Sequence, residues 1–361
     1  MSQNQESTLI VTMIVTLCII GGVAWLFFKQ VTPQNPTITT PPTSNPPTPP
    51  TSNPATPPTS NPATTATSSS IFARVPNIPT GLFRYGGSTT WAPIRAEVDS
   101  VIQNVWPDFK LRYTEHPTKA AGSGTGISML LEDALDFAQS SRSLKEEEYT
   151  AASTRGFTLK QIAVAIDGIA VGVNPNLNVR GLTVKQLQGI YTGQITNWNQ
   201  IGGDNIPIIP YSRRPEDSGT IEFFVDNILG KEAFGDNVRF ISTTTEALRK
   251  IASEPGAIYY ASAPELVPQC TIKPLAIGKN PSQLITPYIE PLISQEDCPS
   301  RRNQLNITAF QTGEYPITRS LFVIIKENGQ IAQEAGEAYS NLLLSEQGQQ
   351  LISKTGFVRI K

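Results

Sequence analysis

The distribution of apolar residues divides the chain into three segments. Leu9–Phe28 is an apolar run without a single charged residue, and residues 30–70 offer too few apolar side chains to build a core. From Ile71 onward, short apolar runs alternate with stretches whose apolar residues recur at helical spacing. We therefore expect one folded part of about 290 residues, which is long enough for two lobes with separate cores.

The first segment, residues 1–29, predicts a membrane anchor. Leu9–Phe28 as a helix would be about 30 Å long, which is the thickness of a hydrocarbon core. No Lys or Arg precedes the run and Glu6 does, whereas a cleavable signal normally begins with basic residues. An uncleaved transmembrane helix is favoured, and a cleaved signal is the alternative.

The second segment, residues 30–70, predicts an extended linker. Pro-Pro-Thr-Ser-Asn-Pro recurs at 41–46, 49–54 and 57–62, and proline at this density fixes φ and removes hydrogen-bond donors. It is either a stalk that holds the folded part away from a membrane or a spacer of no particular length. Both interpretations place the folded part outside the bilayer, and stalks rich in Ser, Thr and Pro are typical of extracytoplasmic proteins.

The beginning of the folded part predicts an open α/β sheet. Gly81–Ser88 reads as a strand that leads through a Gly-Gly turn into a helix, and Lys110–Glu115 reads as a second strand. A glycine-rich turn at 120–126 then opens the helix Ile127–Ala134, and Leu135–Ala138 reads as a third strand. This order is typical of a parallel α/β sheet, in which ligands bind at the carboxyl ends of the strands.

Gln161–Asn174 is the longest β-rich stretch, and Asp167-Gly168 interrupts it. Its length predicts a strand that crosses from one lobe to the other. We expect the first part of lobe 1 at 71–167 and lobe 2 at 168–265. We expect the return crossover and the rest of lobe 1 at 266–361.

Hydroxyl residues stand where the predicted strands end and helices begin. Ser218-Gly219-Thr220 opens an apolar helical stretch, and the free N–H groups of a helix start attract anions. Arg214 would add a planar cation. The alternative is an ordinary capped surface helix. Three further strand ends carry paired hydroxyls, for which plain turns are the alternative: Ser88/Thr89, Ser123/Thr125 and Ser140/Ser141.

Composition narrows the function. The net charge of −2 gives no reason to expect nucleic acid, and His116 is the single histidine of the sequence, so most His-rich metal sites are excluded. We expect no metal and no cofactor. Cys270 and Cys298 form a disulfide or remain two free thiols. Neither Ser123 nor Ser218 lies in a Gly-x-Ser-x-Gly elbow, so we expect no catalytic residue and no enzyme activity.

Several phrases together resemble the phosphate-binding component of bacterial phosphate ABC transporters, a family of two-lobed periplasmic solute-binding proteins. The order and spacing of the phrases make the resemblance specific over most of Phe83–Val358. The phrases are Gly86–Pro93, Gly122–Gly126, Ile162–Val171, Ile190–Trp198, Arg214–Thr220, Tyr315–Arg319 and Ser345–Gln349.

The resemblance implies a ligand site for phosphate. In the first lobe it implies Thr89, Thr90 and Ser123. In the second lobe it implies Arg214, Ser218, Gly219 and Thr220, with Glu216 orienting the arginine. Ser141 stands where the family often has an aspartate that accepts the proton of hydrogen phosphate, so selectivity against sulfate is left open. Arg142, the next residue, either adds affinity or faces solvent.

The function implied is capture of inorganic phosphate in a cleft between two closing lobes, for the permease of an ABC importer. The protein would be extracytoplasmic and anchored to the plasma membrane by its N-terminal helix. The alternative is a surface module that senses or adheres to phosphate or another oxyanion without transport. A hydrolase is disfavoured because no base accompanies the serines.

Overall fold

The computed structural model describes residues 71–214, 218–298 and 300–360. The predicted anchor, the predicted linker and Glu216 lie outside these residues. None of the helices within the described residues has the length and apolarity needed to cross a bilayer.

The described residues contain strands β1 to β12, most of them short. Their bounds are β1 Gly81–Gly87, β2 Phe109–Tyr113, β3 Phe137–Ser140, β4 Thr158–Val173, β5 Gly181–Thr183, β6 Ile209–Ser212, β7 Arg239–Phe240, β8 Ala257–Ser262, β9 Lys273–Pro274, β10 Ala276–Gly278, β11 Leu284–Ile285 and β12 Thr318–Glu327.

The helices lie between these strands and after β12. Their bounds are α1 Ala92–Val105, α2 Ser123–Leu131, α3 Glu146–Thr154, α4 Val184–Tyr191, α5 Gly219–Asn227, α6 Thr244–Ser253, α7 Ala263–Leu266, α8 Ile307–Thr312, α9 Ile331–Leu344 and α10 Glu346–Lys354. Three short 3₁₀ turns add Ile71–Arg74, Thr89–Trp91 and Trp198–Ile201.

The strands form one large mixed sheet and one small sheet. The large sheet has the order β2-β1-β3-β12-β4-β8-β6-β7, with β9 paired to β4, and the small sheet has the order β11-β10-β5. Strand β1 is parallel to β2 and β3, whereas β12 runs antiparallel to β3 and β4. The predicted α/β architecture is confirmed, although the large sheet is mixed rather than purely parallel.

Strand β4 belongs to both lobes. Its first part, up to Gly168, pairs with β12, and its second part, from Ile169, pairs with β8. The first part is packed among the residues of one core and the second part among those of another. The chain therefore passes from one core to the other at Gly168 and Ile169.

The return crossing lies later than the sequence predicts. Leu266, Phe310, Tyr315 and Ile317 are buried in the core of the second lobe, although the sequence analysis assigned residues 266–361 to the crossover and the first lobe. The second lobe extends to Ile317 because the apolar side chains of the segment pack against β4 and β8. The first lobe resumes with β12.

Candidate functional site

Two helices, one from each lobe, begin at the same place. Helix α2 begins at Ser123, which is inside the glycine-rich turn and earlier than predicted, and α5 begins at Gly219. A Cβ on Gly219 would lie 2.3 Å from the Ser123 Oγ and 2.5 Å from the Ser141 Oγ. Because the first N–H groups of each helix lack intrahelical partners, two positive helix ends face one region between the lobes.

Three buried serines of the first lobe form one hydrogen-bonded cluster. Ser88 Oγ donates to Ser141 Oγ at 2.9 Å, and Ser141 Oγ lies 3.2 Å from Ser123 Oγ. The backbone N–H of Ser141 donates to Ser123 Oγ at 3.0 Å. The carboxyl ends of β1 and β3 and the start of α2 therefore meet at hydroxyl groups, each able to donate and to accept.

A second contact between the lobes is made by two threonines, one from each lobe. The Thr90 Oγ1 and Thr220 Oγ1 atoms lie 3.4 Å apart, and both side chains are buried. Ser218 caps α5, since its Oγ accepts the N–H of Thr220 at 3.2 Å. The predicted hydroxyl residues of the two lobes are thus brought together.

The Thr90 and Thr220 pair is held by Arg319, the second residue of β12. Its Nη2 donates to Thr220 Oγ1 at 2.8 Å and to Thr90 Oγ1 at 3.1 Å. Its Nε and Nη2 donate to Asp167 Oδ2 at 3.0 and 2.8 Å. Burial raises the pKa of Asp167, whereas the charge of Arg319 and a hydrogen bond from Ser262 oppose that rise.

A small cavity adjoins the two threonines. Its volume is about 20 Å³, which admits about one water molecule rather than an oxyanion, so an anion would have to displace side chains or separate the lobes slightly. The described residues that line the cavity are Thr89, Thr90, Arg213, Ser218, Thr220, Ile221, Thr244, Tyr259, Ala261 and Glu265.

The arginine beside this cavity is Arg213 rather than Arg214. Arg214 is exposed, and its guanidinium carbon lies 5.2 Å from the ring centroid of Phe240. Neighbouring residues of an extended chain point in opposite directions, and both arginines follow directly after β6, which ends at Ser212. Arg213 thus lines the cavity and Arg214 is not among its lining residues, whereas contact of Arg214 with an anion stays a prediction.

Glu265, on α7, brings a carboxyl group to a cavity whose other polar lining consists of hydroxyls and Arg213. The residue is solvent-exposed; partial desolvation of its carboxyl group and the negative charge of Asp167 raise its pKa, while Arg319 and Arg213 lower it. The sequence analysis did not single out this residue, because nothing in a lone glutamate after a buried strand distinguishes it from a surface residue.

Arg142 does not face solvent, and its charge is taken up by two glutamates. Its Nη2 and Nη1 donate to the Glu148 carboxylate at 2.7 and 3.0 Å, and its Nε donates to Glu222. Burial lowers the pKa of the Arg142 guanidinium, but the hydrogen bonds and charges of Glu148 and Glu222 outweigh that effect and raise it. Because Glu222 lies on α5, this ion pair joins the lobes.

Two other predicted features lie apart from the cleft. Cys270 and Cys298 are joined by a disulfide with a Cα–Cα distance of 5.6 Å, which is one of the two alternatives from the sequence. His116 Nδ1 accepts the backbone N–H groups of Thr118 and Lys119 on an exposed turn. Among the described residues, no group of three or more His, Cys, Asp or Glu could hold a metal ion.

Arg319 and Asp167 are the buried residues of the site that sequence reasoning missed. Both stand inside phrases that carry the family resemblance, Tyr315–Arg319 and Ile162–Val171, so a signal was present. What the sequence did not contain was their pairing, since they are 152 residues apart and meet only through the register of β4 and β12.

Comparison with known proteins places the chain among solute-binding proteins. The family profile of the PBP superfamily domain matches residues 54–347. The chain is 30% identical over 181 residues to the phosphate-binding protein PstS of Bacillus subtilis, an alignment that covers 50% of this chain and 57% of that protein. It is 24% identical over 307 residues to the phosphate-binding protein PstS of Pseudomonas aeruginosa, covering 80% and 89% of the two chains.

Solved structures share the fold. An ABC-type phosphate transport receptor from Vibrio cholerae matches with a TM-score of 0.60 and 23% identity, over 76% of this chain and 99% of that chain. PstS from Borrelia burgdorferi matches with a TM-score of 0.51 and 23% identity, over 78% and 99%. The two-lobed α/β architecture is therefore common to these proteins and this chain.

Proposed function

We propose, from the premise that the chain belongs to the PBP superfamily, that it captures inorganic phosphate between its lobes for an ABC importer. The observation that carries the proposal is the meeting of two helix N-termini, one per lobe, at Ser123 and Gly219. The names of the relatives, which are phosphate-binding proteins, point to the same ligand.

The proposed phosphate contacts are hydroxyls and backbone N–H groups of both lobes, and they are Thr89, Thr90, Ser123, Ser141, Ser218, Gly219 and Thr220. Arg213 is the proposed cation, in place of Arg214, because it lines the cavity together with Ser218 and Thr220. Fixed donors of this kind replace the water around an anion without reorganising as it binds. They bind and do not react, so the proposal includes no enzyme activity.

Selectivity for phosphate over sulfate is proposed to depend on groups that accept a hydrogen bond. Hydrogen phosphate carries a proton that sulfate lacks, and that proton needs an acceptor. The hydroxyls of Ser88 and Ser141 accept as readily as they donate, and the Glu265 carboxyl group lines the adjoining cavity. Ionised Glu265 would repel sulfate, because sulfate has no proton to donate to the carboxylate.

The N-terminal segments complete the proposal. Leu9–Phe28 would anchor the protein in the plasma membrane, and residues 30–70 would hold the lobes on its outer side near the permease. Membrane fractions washed with carbonate should retain the chain, and its mass should include residues 1–29. A chain released by carbonate, or one that lacks these residues, would contradict the anchor and leave phosphate capture intact.

Isothermal titration of the purified chain with phosphate, arsenate, sulfate and nitrate tests the central proposal. We expect phosphate to bind most tightly and nitrate, which is planar, to bind weakly. Phosphate that does not bind would overturn the proposed function. Impaired uptake of radioactive phosphate in cells lacking the gene would distinguish import from sensing or adhesion.

A further inference from the structure

Arg319 lies at the point where the chain returns from the second lobe to the first. It is the second residue of β12, and its backbone is paired with that of Asp167 on β4. Its side chain is 1% exposed, and that of Asp167 is fully buried. A charge pair buried so deeply in a hinge is costly to desolvate, so a role beyond packing is expected for it.

Asp167 fixes the plane of this guanidinium. The carboxylate accepts two hydrogen bonds from Arg319 on Oδ2 and one from Ser262 Oγ, at 2.6 Å, on Oδ1. Ser262 is the last residue of β8, and Asp167 is on the strand shared by the lobes. The orientation of Arg319 is thus set by the backbone of the hinge rather than by a mobile loop.

The two threonines that Arg319 contacts come from different lobes. Nη2 carries two protons and has three acceptors in reach, namely the Asp167 carboxylate, Thr90 Oγ1 and Thr220 Oγ1, so at least one proton is shared. A guanidinium cannot accept a hydrogen bond. Each threonine oxygen therefore accepts a hydrogen bond from Arg319, and its own hydroxyl proton is left for the other threonine oxygen, 3.4 Å away, or for another acceptor.

Another observation points to a ligand. Arg319 Nη1 is buried and has no hydrogen-bond partner among the described residues. Thr90 and Thr220 line the small cavity, so their hydroxyl groups lie close to one polar space. Nη1 is a further unused donor of the guanidinium whose Nη2 contacts these two threonines. Donors without acceptors suit an anion, whose unprotonated oxygens accept hydrogen bonds.

We propose that Arg319 is a positioning residue of the anion site. It turns the hydroxyl protons of Thr90 and Thr220 toward the bound anion, and it ties the closing of the two lobes to that orientation. Neutralised by Asp167, it acts through geometry and adds little net charge. The inference rests on the proposed phosphate binding and goes beyond it by assigning a role to a residue outside the expected contacts.

A double-mutant cycle tests this role. Replacing the pair together, Asp167→Asn with Arg319→Gln, avoids leaving a buried charge unpaired. We expect this pair variant to bind phosphate at least about tenfold more weakly, with wild-type thermal stability to within a few degrees. Thr220→Val should then weaken phosphate binding much less in the pair variant than in the wild type, because Arg319 no longer orients the Thr220 hydroxyl.

Thr89→Val is the matched control, since Thr89 lines the same cavity but makes no hydrogen bond to Arg319 among those observed. Its effect on the phosphate Kd should multiply with that of the pair variant. The positioning role would be overturned if the effects of Thr220→Val and of the pair variant on the phosphate Kd also multiplied, or if the pair variant bound phosphate with wild-type affinity. Phosphate capture would still stand in either case. A wild-type chain that binds no phosphate would overturn both.

If the pair variant does not fold, Arg319→Lys replaces it in the same double-mutant cycle with Thr220→Val. Lysine keeps the charge beside Asp167 but has a single nitrogen, which cannot bond Asp167 and both threonines in the planar arrangement of a guanidinium. We expect it to weaken phosphate binding and to remove the coupling to Thr220→Val. An Arg319→Lys variant that bound phosphate with wild-type affinity and kept the coupling to Thr220→Val would contradict the proposal.

Discussion

The guanidinium of Arg142 in the first lobe is hydrogen-bonded to the carboxylate of Glu222 in the second. Glu148 holds the other side of the same guanidinium, so Arg142 is fixed on its own lobe and Glu222 is the partner that arrives when the lobes approach. The ion pair thus stabilises the closed arrangement of the cleft.

Glu222→Gln should therefore favour the open arrangement. Because Arg142 retains Glu148, we expect a loss of stability of only about 1 kcal/mol, together with several-fold weaker phosphate binding. Titration calorimetry measures the affinity, and small-angle scattering with and without phosphate measures closure. Asp226→Asn, which removes one charge from the same helix, is the control, and equal effects of both variants would argue against the interlobe pair.

Arg213→Ala and Arg214→Ala should differ strongly in their effect on phosphate affinity. Arg213 lines the cavity, so its loss should weaken phosphate binding by at least about 1.5 kcal/mol, or roughly tenfold in Kd. Arg214 is exposed near Phe240, and its loss should change the affinity by less than about twofold. Titration of the two variants decides between them, and the reverse order of effects would restore the arginine expected from the sequence.

Gly219→Ala should prevent closure without harming the fold. The added Cβ would lie 2.3 Å from the Ser123 Oγ, which no packed structure tolerates, while alanine itself favours a helix. We expect phosphate affinity to fall more than tenfold and the melting temperature to stay within a few degrees. Gly124→Ala is the control, because its Cβ would meet only the ends of two long side chains, at 3.1 Å from the Glu222 carboxylate and 3.6 Å from Arg142 Nη2. Normal affinity of the Gly219 variant would mean that the helix starts separate on binding.

Sulfate affinity should rise as the pH falls. The pKa of Glu265 is raised from 4.5, so this carboxyl group takes up its proton at a higher pH than usual. Sulfate stays fully ionised, and the repulsion between it and Glu265 should fade as the pH is lowered from neutrality toward the ordinary glutamate value of 4.5. Titrations across this range should show the rise, and Glu265→Gln should flatten it. A wild-type profile as flat as that of the variant would place Glu265 outside the influence of the anion.

Much of the architecture could be read from the sequence. The glycine-rich turns and the apolar periodicity identified the first-lobe strands and helices, and the uninterrupted β-rich stretch around Asp167 identified the strand between lobes. These features are local, and local patterns determine element type well. The later boundary at Ile317 was missed because 266–317 contains only short strands and short helices, whose packing depends on distant partners.

The site was predicted less completely, for a geometric reason. Helix N-caps such as Ser218 have a local signature and were recognised. Which of two adjacent arginines faces inward depends on the path of the chain after β6, and periodicity does not determine that path. The hydrogen bonds of Arg319 depend on strand register, including an irregularity between Leu321 and Phe322, which no residue pattern announces.

Since β4 passes without a break from one sheet neighbour to the other, the lobes share a continuous length of backbone. Sliding of one lobe past the other would break the hydrogen bonds between β4 and its neighbouring strands. Release of a captured ion must therefore proceed by rotation of the backbone near Gly168. A Cβ at Gly168 would meet the Phe310 ring at 2.7 Å, which leaves that pivot tightly enclosed. The amplitude of opening is therefore governed at the hinge, beside Asp167, by how far the Phe310 ring allows the backbone at Gly168 to rotate.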